Sequence, residues 1–201
     1  MRLTTNSQVS VDGVFQANGG RHPVLDPGME RGGWARPLFD DEAMTFVNQC
    51  YQRADAFLFG RRTYDLFASY WGVRNDLDNP IVGALNTRPK YVASNTLTDP
   101  TWADTTVLSG DVEVAIRKLK AKPGGELQVH GSGALIRWLL ENDLVDELTL
   151  LVCPVVVGQG KRLFPATGPD ISLELVESRT FPKGITAHVY RPSGRPEYAT
   201  D

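Results

Sequence analysis

The chain of 201 residues has few cysteines and histidines, no large excess of one charge and no long hydrophobic run. Its two cysteines, Cys50 and Cys153, lie far apart, as expected of reduced core thiols and not of a disulfide or zinc framework. The three histidines show no HxxxH spacing, so no metal site is predicted. The net charge of −3 argues against a nucleic-acid or anionic-membrane partner.

Other features of the composition are those of a globular domain, with 41% hydrophobic and 22% charged residues. At roughly 100–200 residues per domain, the length predicts a single domain, which we place at residues 1–192 with a flexible tail at 193–201. No apolar run approaches the roughly 18 residues of a membrane span. The N-terminus also lacks the apolar stretch of a secretory signal, which favours a cytoplasmic location.

Short apolar runs alternate with amphipathic ones along the chain. Strands are predicted at 8–11, 56–59, 91–93, 105–108, 127–129 and 148–157, with Pro154 as a break, an edge position or a bulge in the last. Helices are predicted from residue 40, through 64–67, over 81–85, over 111–120 and over 135–140. Two final strands, 173–176 and 186–190, form a hairpin. The alternation predicts an α/β fold, a three-layer α/β/α domain whose mixed, mostly parallel sheet is closed by an antiparallel hairpin.

The first candidate binding site follows the second of these strands. Gly60, Arg61, Arg62 and Thr63 stand where an apolar strand leads into a helix. Glycine lets an anion approach the backbone, and the free helix amides, a hydroxyl and a guanidinium can hold phosphate oxygens. The alternative is an ordinary helix start with two solvated arginines.

Two more junctions of the same kind occur. Gly131, Ser132 and Gly133 separate a strand from a helix, although Ile136 stands where a dinucleotide fingerprint has its third glycine. Ser94 and Asn95 end another strand. Each junction alone is explained by a turn, but ligands of open α/β sheets bind beyond the carboxyl ends of the strands. Arginines without a ribose-binding acid favour NADPH over NADH.

The order of these motifs resembles the dihydrofolate reductase-like superfamily, in particular the branch that contains the reductase domain of bacterial riboflavin biosynthesis. The resemblance rests on the segments 10–13, 60–64, 94–95, 131–133 and 144–165, and it extends from residue 8 to about residue 190. It implies an NADPH-dependent reductase acting on a small, pterin-like or ribosylaminopyrimidine-like heterocycle, and a homodimer. The zinc motifs of the deaminase half of the bifunctional riboflavin enzyme are missing.

The resemblance also implies roles for individual residues. Gly60, Arg61, Arg62 and Thr63 would hold the cofactor phosphates, with Arg61 nearest the 2′-phosphate. Ser94 and Asn95 would flank the adenosine end. The pyrophosphate and nicotinamide side would be bound by Gly131, Ser132, Gly133, Ala134 and Leu135.

The catalytic candidate is Glu42, because it lies one turn before Phe46 on the first helix, as the carboxylate of dihydrofolate reductase lies one turn before a ring-packing residue. Asp40 and Asp41 compete with it, and all three also suit a helix start. Further pocket candidates are Gln8, Ser10, Asp12, Trp34, Phe46 and Thr149. Trp34, in a Gly- and Pro-rich loop over residues 18–34, either caps a flat ring or fills the core beneath that loop.

Two other functions remain open at this point. The chain could be a nucleotide-binding module that keeps the fold without catalysis, or a structural homodimer subunit without a ligand. The structural homodimer subunit is the hypothesis that explains the glycine and arginine junctions least well.

Overall fold

An eight-stranded sheet forms the centre of the structure, a computed structural model that describes residues 1–168 and 170–199. The strands are β1 (Arg2–Ser10), β2 (Ala54–Gly60), β3 (Lys90–Ala93), β4 (Thr105–Leu108), β5 (Glu126–His130), β6 (Glu147–Cys153), β7 (Leu173–Thr180) and β8 (Thr186–Pro192). Their order is β4-β3-β2-β5-β1-β6-β8-β7. The first six strands of this order run parallel, and β8 and β7 complete the sheet as an antiparallel hairpin. The predicted α/β fold is confirmed.

Helices cover both faces of the sheet. They are α1 (Asp41–Arg53), α2 (Arg61–Tyr70), α3 (Pro80–Thr87), α4 (Val112–Lys120) and α5 (Gly133–Glu141), with a short 3-10 turn at Arg36–Leu38. The apolar sides of α1, α2 and α3 share one core with the sheet, and those of α4 and α5 share another on the opposite face. Among the described residues, no helix is both long and apolar enough to cross a membrane.

The first helix is placed by its sequence. Asp40 caps α1 by accepting a hydrogen bond from the amide of Ala43 at 2.9 Å, and two further acids occupy the positive end of the helix dipole. Phe46, Cys50 and Tyr51 lie on its buried side. Helical spacing of these residues therefore turns α1 onto the sheet, directly above β1, β5 and β6.

The observed bounds differ from the predicted ones at β1, at β6 and at β7, which continues to Thr180. β1 begins at Arg2, well before residue 8, and its buried positions include the polar Thr4, Asn6 and Ser7. The strand predicted over 148–157 ends at Cys153, because Pro154 has no N–H to donate to a neighbouring strand. Beyond this point the chain still contacts the end of β1, since the amide of Val11 donates to the carbonyl of Val155 at 2.9 Å.

Part of the predicted flexible tail makes defined contacts. The amide of Ser193 donates to the carbonyl of Ser172 at 2.8 Å, Arg195 pairs with Asp170, and the Tyr198 hydroxyl donates to Asp170 at 3.0 Å. Residues 200 and 201 lie outside the described residues, so the flexibility of the whole segment stays a prediction.

Candidate functional site

Three strand ends carry the junctions predicted from the sequence, and the sheet brings them to one edge. β3, β2 and β5 are parallel neighbours, with Gly60 paired to Ala93 and Phe57 paired to Gln128. Arg61, Ser94 and Gly131 therefore follow adjacent strands on the same side of the sheet.

The β2 and β5 junctions are joined directly. The amide of Gly60 donates to the Ser132 hydroxyl at 2.9 Å. Gly131 has a φ of 69°, in the left-handed region that favours glycine, and a side chain there would meet Thr63 Cγ2 at 3.5 Å. Ser132 shares the left-handed conformation with a φ of 63°. Gly131, which has no side chain, is thus the part of this turn that approaches Thr63 at the start of α2.

Helix capping sets these junctions apart from the rest of the fold. Side chains cap α1, α3 and α4, through Asp40, Asn79 and Asp111. In the part of the chain that the structure describes, α2 and α5 have no side-chain cap, and both begin at this edge. The first N–H groups of a helix have no intrahelical acceptor, so the two uncapped helices can offer amides to an anion.

The two adjacent arginines have different partners. Arg61 donates from Nε to Asp65, with a 2.8 Å contact, and both side chains are partly exposed. Arg62 Nη2 contacts Asp26 Oδ1 at 2.7 Å. Asp26 is only 3% exposed and also accepts from Gln16 Nε2. Arg62 therefore ties the long segment between β1 and α1 to the first turn of α2.

The Asp26 carboxylate is held in its charged form. Burial alone would raise its pKa, but hydrogen bonds from Gln16, from the His22 amide and from Arg62 together hold the pKa below its usual value. This carboxylate thus stabilises the segment as an anion.

Replacing this carboxylate should destabilise the fold. We expect Asp26→Asn to lower the free energy of unfolding by about 1–2 kcal/mol, because the charge that pairs with Arg62 and one of the two acceptor oxygens are lost at a buried position. Urea unfolding measures the loss, and limited proteolysis should cleave the segment before α1 faster. Asp65→Asn is the matched control, since the exposed pair that it breaks is worth less than about 0.5 kcal/mol. Equal effects of the two variants would contradict the anchoring role.

The remaining predicted cofactor residues lie at the same edge. The Ser94 hydroxyl accepts from the amide of Leu97 at 3.1 Å, and Asn95 Oδ1 accepts from the amide of Gly110 at 3.3 Å, so both side chains shape turns. Ala134 is exposed, whereas the Leu135 side chain is buried in the core below α5. Leu135 can therefore reach a ligand at this edge only through its backbone.

Phe15 covers part of α5. A Cβ added to Gly133 would collide with Phe15 Cζ, so the phenyl ring rests on the first residue of the helix.

A small cavity of about 40 Å³ lies between α1 and the sheet. Its lining comes from β1, α1, β5 and β6 and consists of Asn6, Ser7, Gln8, Val47, Cys50, Tyr51, His130 and Leu151. His130 ends β5 and is followed at once by Gly131, so the cavity adjoins the edge described above. Of the pocket residues predicted from the sequence, Gln8 is the one that lines it.

Two predicted pocket residues belong to the turn after β1. Ser10 donates to Asp12 Oδ1 at 2.7 Å, and the Asp12 carboxylate accepts from the amides of Val157 and Gly158, each at 2.9 Å. These hydrogen bonds, with that of Ser10 first, lower the pKa of Asp12 to about 2. Asp12 thus holds the segment after β6 against the end of β1.

The other predicted pocket residues pack in the core. Trp34 Nε1 donates to the carbonyl of Gln16 at 2.9 Å, and its ring packs under the segment before α1. The Phe46 and Phe181 ring centroids are 5.6 Å apart. Thr149 is buried and faces Asn6 across β1 and β6. Their contact with a substrate stays a prediction.

The catalytic candidate lies away from the cavity. The Glu42 side chain is 60% exposed and its carboxylate is 3.5 Å from Arg179 on β7. The cavity lies further along α1, at Val47, Cys50 and Tyr51. No cluster of His, Cys, Asp and Glu suited to a metal ion occurs within residues 1–168 and 170–199.

Sequence reasoning missed Asn6 and His130 at the cavity. The available signal was chemical: Asn6, Gln128 and His130 are polar residues in the middle or at the end of strands that are otherwise shielded from solvent. Buried polar side chains need partners, so their presence in central strands marks either a hydrogen-bond network or a binding site.

Curated relatives cover the chain almost end to end. The uncharacterized protein YyaP of Bacillus subtilis is 29% identical over 197 residues, which is 96% of this chain and 96% of YyaP. The uncharacterized protein YwjB of the same organism is 23% identical over 183 residues, covering 91% of this chain and 94% of YwjB.

Two solved structures share the fold. A protein of Shewanella sp. PV-4 assigned to riboflavin biosynthesis superposes with a TM-score of 0.68 at 24% identity, over 96% of this chain and 99% of that one. A pyrimidine reductase-like protein of Corynebacterium diphtheriae gives a TM-score of 0.62 at 14% identity, over 96% and 92%. A model of the RibD C-terminal domain family matches residues 2–187. With this match over nearly its whole length, the chain belongs to the RibD C-terminal domain family.

Proposed function

We propose that this chain is an NADPH-dependent reductase that transfers a hydride to a small heterocycle, pterin-like or ribosylaminopyrimidine-like. Membership of the family supports a reductase-like role. The observation that carries the finer proposal is the pair of uncapped helix starts, α2 and α5, which meet at one edge of the sheet through the Gly60–Ser132 hydrogen bond.

The residues at this edge suit a phosphorylated dinucleotide. Only Nε of Arg61 is engaged by Asp65, and among the described residues its two terminal nitrogens have no partner. A free guanidinium fork matches a phosphate monoester such as the 2′-phosphate of NADPH. Gly131 adds a backbone that a pyrophosphate can approach closely, beside the amides of α2.

NADPH would supply the hydride, and the chain would bind and orient the reactants. Through His130 and Gly131, the cavity under α1 adjoins the sheet edge at which β2, β3 and β5 end. A ring entering the cavity would therefore lie beside a nucleotide bound at that edge. Holding two reactants side by side is itself a large part of catalysis. The segment between β1 and α1, tied to α2 by Arg62 and Asp26, would help to exclude water.

Titration of the protein with NADPH and NADH, followed by fluorescence, tests the cofactor. We expect NADPH to bind more tightly than NADH, and NADPH absorbance to fall when dihydropterins or ribitylaminopyrimidines are added. Failure of both nucleotides to bind would contradict the proposal. The expected homodimer also stays a proposal, and sedimentation equilibrium measures it.

One observation favours a second candidate, a nucleotide-binding module without catalysis. No carboxylate is among the residues that line the cavity, and Glu42 is exposed beside Arg179. Tight NADPH binding without turnover of any compound in the panel would support this function.

Glu42→Gln tests the proton source. If Glu42 supplies the proton, the variant should lower kcat by about 100-fold or more, the range that general acids contribute. NADPH affinity should hardly change, because Glu42 lies beside Arg179 on β7, five strands away from β2. Asp41→Asn, in the same helical turn, is the control. Unchanged turnover of the Glu42 variant would remove this residue from the mechanism.

A further inference from the structure

The carboxylate of Asp26 links the starts of the two uncapped helices. On one side it contacts Arg62 Nη2, in the first turn of α2, at 2.7 Å. On the other side it accepts from Gln16 Nε2 at 2.8 Å. Gln16 directly follows Phe15, whose ring rests on Gly133 at the start of α5. The pair of Arg62 and Asp26 therefore reaches from α2 toward α5.

The neighbouring Arg61 is held in another direction. It donates from Nε to Asp65, one turn further along α2, at 2.8 Å. Successive residues of a helix project about 100° apart, so the two arginines leave α2 on different sides. Arg61 is therefore held along its own helix, whereas Arg62 is held across toward α5. The free amides at the two uncapped helix starts can reach an anion between them.

Asp26 engages only part of the Arg62 guanidinium. Its single contact is with Nη2, and among the described residues Nε and Nη1 have no hydrogen-bond partner. The Arg62 side chain is 39% exposed, so these nitrogens are open to a ligand. A guanidinium presents five N–H donors in a fixed plane, so it can hold a carboxylate on one edge and phosphate oxygens on another.

The Asp26 carboxylate itself is shielded from a bound anion. It is buried, and its two oxygens accept from Arg62, from Gln16 and from the amide of His22 at 3.1 Å. A carboxylate fixed in this way keeps the guanidinium in one direction before any ligand arrives. A side chain ordered in advance loses less conformational entropy on binding than a free one.

We propose that Asp26 is a positioning residue, which orients the free nitrogens of Arg62 toward a diphosphate bound between the starts of α2 and α5. This rests on the proposed function, since the diphosphate is that of the nicotinamide dinucleotide. It adds a role in binding to the anchoring of the segment before α1. NADPH and NADH carry the same diphosphate, so Asp26 and Arg62 should act on both nucleotides, in contrast to Arg61.

Asp26→Asn tests the positioning role on the full chain. Fluorescence titration with NADPH and NADH, and calorimetry with inorganic pyrophosphate, compare the variant with wild type. We expect each of the three ligands to bind about fivefold more weakly, the value of one side chain ordered in advance. Equal affinities, tighter binding through removal of a negative charge, or no binding of pyrophosphate by wild type would overturn the proposal.

Gln159→Ala is the control that separates positioning from anchoring. Gln159 holds the same segment through hydrogen bonds to the backbone of residues 28–31, and it makes no hydrogen bond to Arg62. Limited proteolysis should cleave the segment faster in this variant, as in Asp26→Asn. The affinities for the three ligands should stay within about twofold of wild type. Weakening equal to that of Asp26→Asn would assign the effect to the order of the segment and overturn the positioning role.

Arg62→Lys keeps a positive charge beside Asp26 and removes the free nitrogens. An ammonium can pair with the carboxylate, but it lacks the second edge of a guanidinium. We expect the segment to resist proteolysis as in wild type, and pyrophosphate to bind at least about fivefold more weakly. Unchanged affinity would contradict the role of the free nitrogens. The pyrophosphate titration needs neither NADPH nor turnover, so it can fail while a heterocycle is still reduced, and the reverse.

Discussion

Acidification from pH 7 to pH 5 should lower the free energy of unfolding by about 2 kcal/mol through His130 alone. The pKa of this side chain is about 3 in the folded protein and 6.5 as the ordinary value, because burial disfavours the imidazolium. Between these values the unfolded chain binds more protons than the folded one. The contribution of His130 to the free energy of unfolding is therefore fully present above pH 6.5. It is lost as the pH falls toward 3, by up to about 1.4 kcal/mol per pH unit.

Urea unfolding between pH 7 and pH 5 measures this dependence. Over that interval the pH stays above the ordinary pKa values of the buried acids Asp26 and Glu126, 3.8 and 4.5. His130→Gln should flatten the profile, whereas His188→Gln, on β8, should leave the slope in place. An unchanged slope in the His130 variant would show that this ring is not held neutral.

Arg61→Ala should weaken NADPH binding by about 1.5–3 kcal/mol, or roughly 10- to 150-fold, and leave NADH binding nearly unchanged. The terminal nitrogens of Arg61 have no partner among residues 1–168 and 170–199, so the guanidinium is available to the 2′-phosphate that only NADPH carries. Fluorescence titration of both nucleotides against wild type and variant gives the two affinities.

Arg62→Ala is the control for this prediction. Arg62 is engaged by the buried Asp26, so its loss should act on stability and on the segment before α1. Equal weakening of NADPH and NADH by Arg61→Ala would contradict the 2′-phosphate role.

The parts of the fold that follow hydrophobic patterning could be predicted from the sequence. Phe57, Leu58 and Phe59 form a continuous apolar run that is buried on both faces as β2. The junction residues after β2, β3 and β5 could be placed at one edge because parallel strands share a direction. The three strands are not in sequence order within the sheet. Placing their ends at one edge requires only that they run in the same direction.

The cavity could not be predicted in the same way. Thr4, Asn6 and Gln8 give β1 no hydrophobic signal, although it is a central strand. The Thr4 hydroxyl is satisfied by Glu126 on β5, a partner more than a hundred residues away in sequence. Likewise, the sequence does not show that Arg62 reaches the distant Asp26 while Arg61 pairs with Asp65.

The ion pair between Arg62 and Asp26 has a consequence for chimeric proteins built within this family. The segment of residues 11–40 is anchored to a residue of α2, which follows it only after α1 and β2. A segment taken from a relative that has no acid at the position of Asp26 would leave Arg62 without its acceptor. Exchange of this segment between relatives therefore requires that the first turn of α2 travels with it, so the two form one unit of recombination.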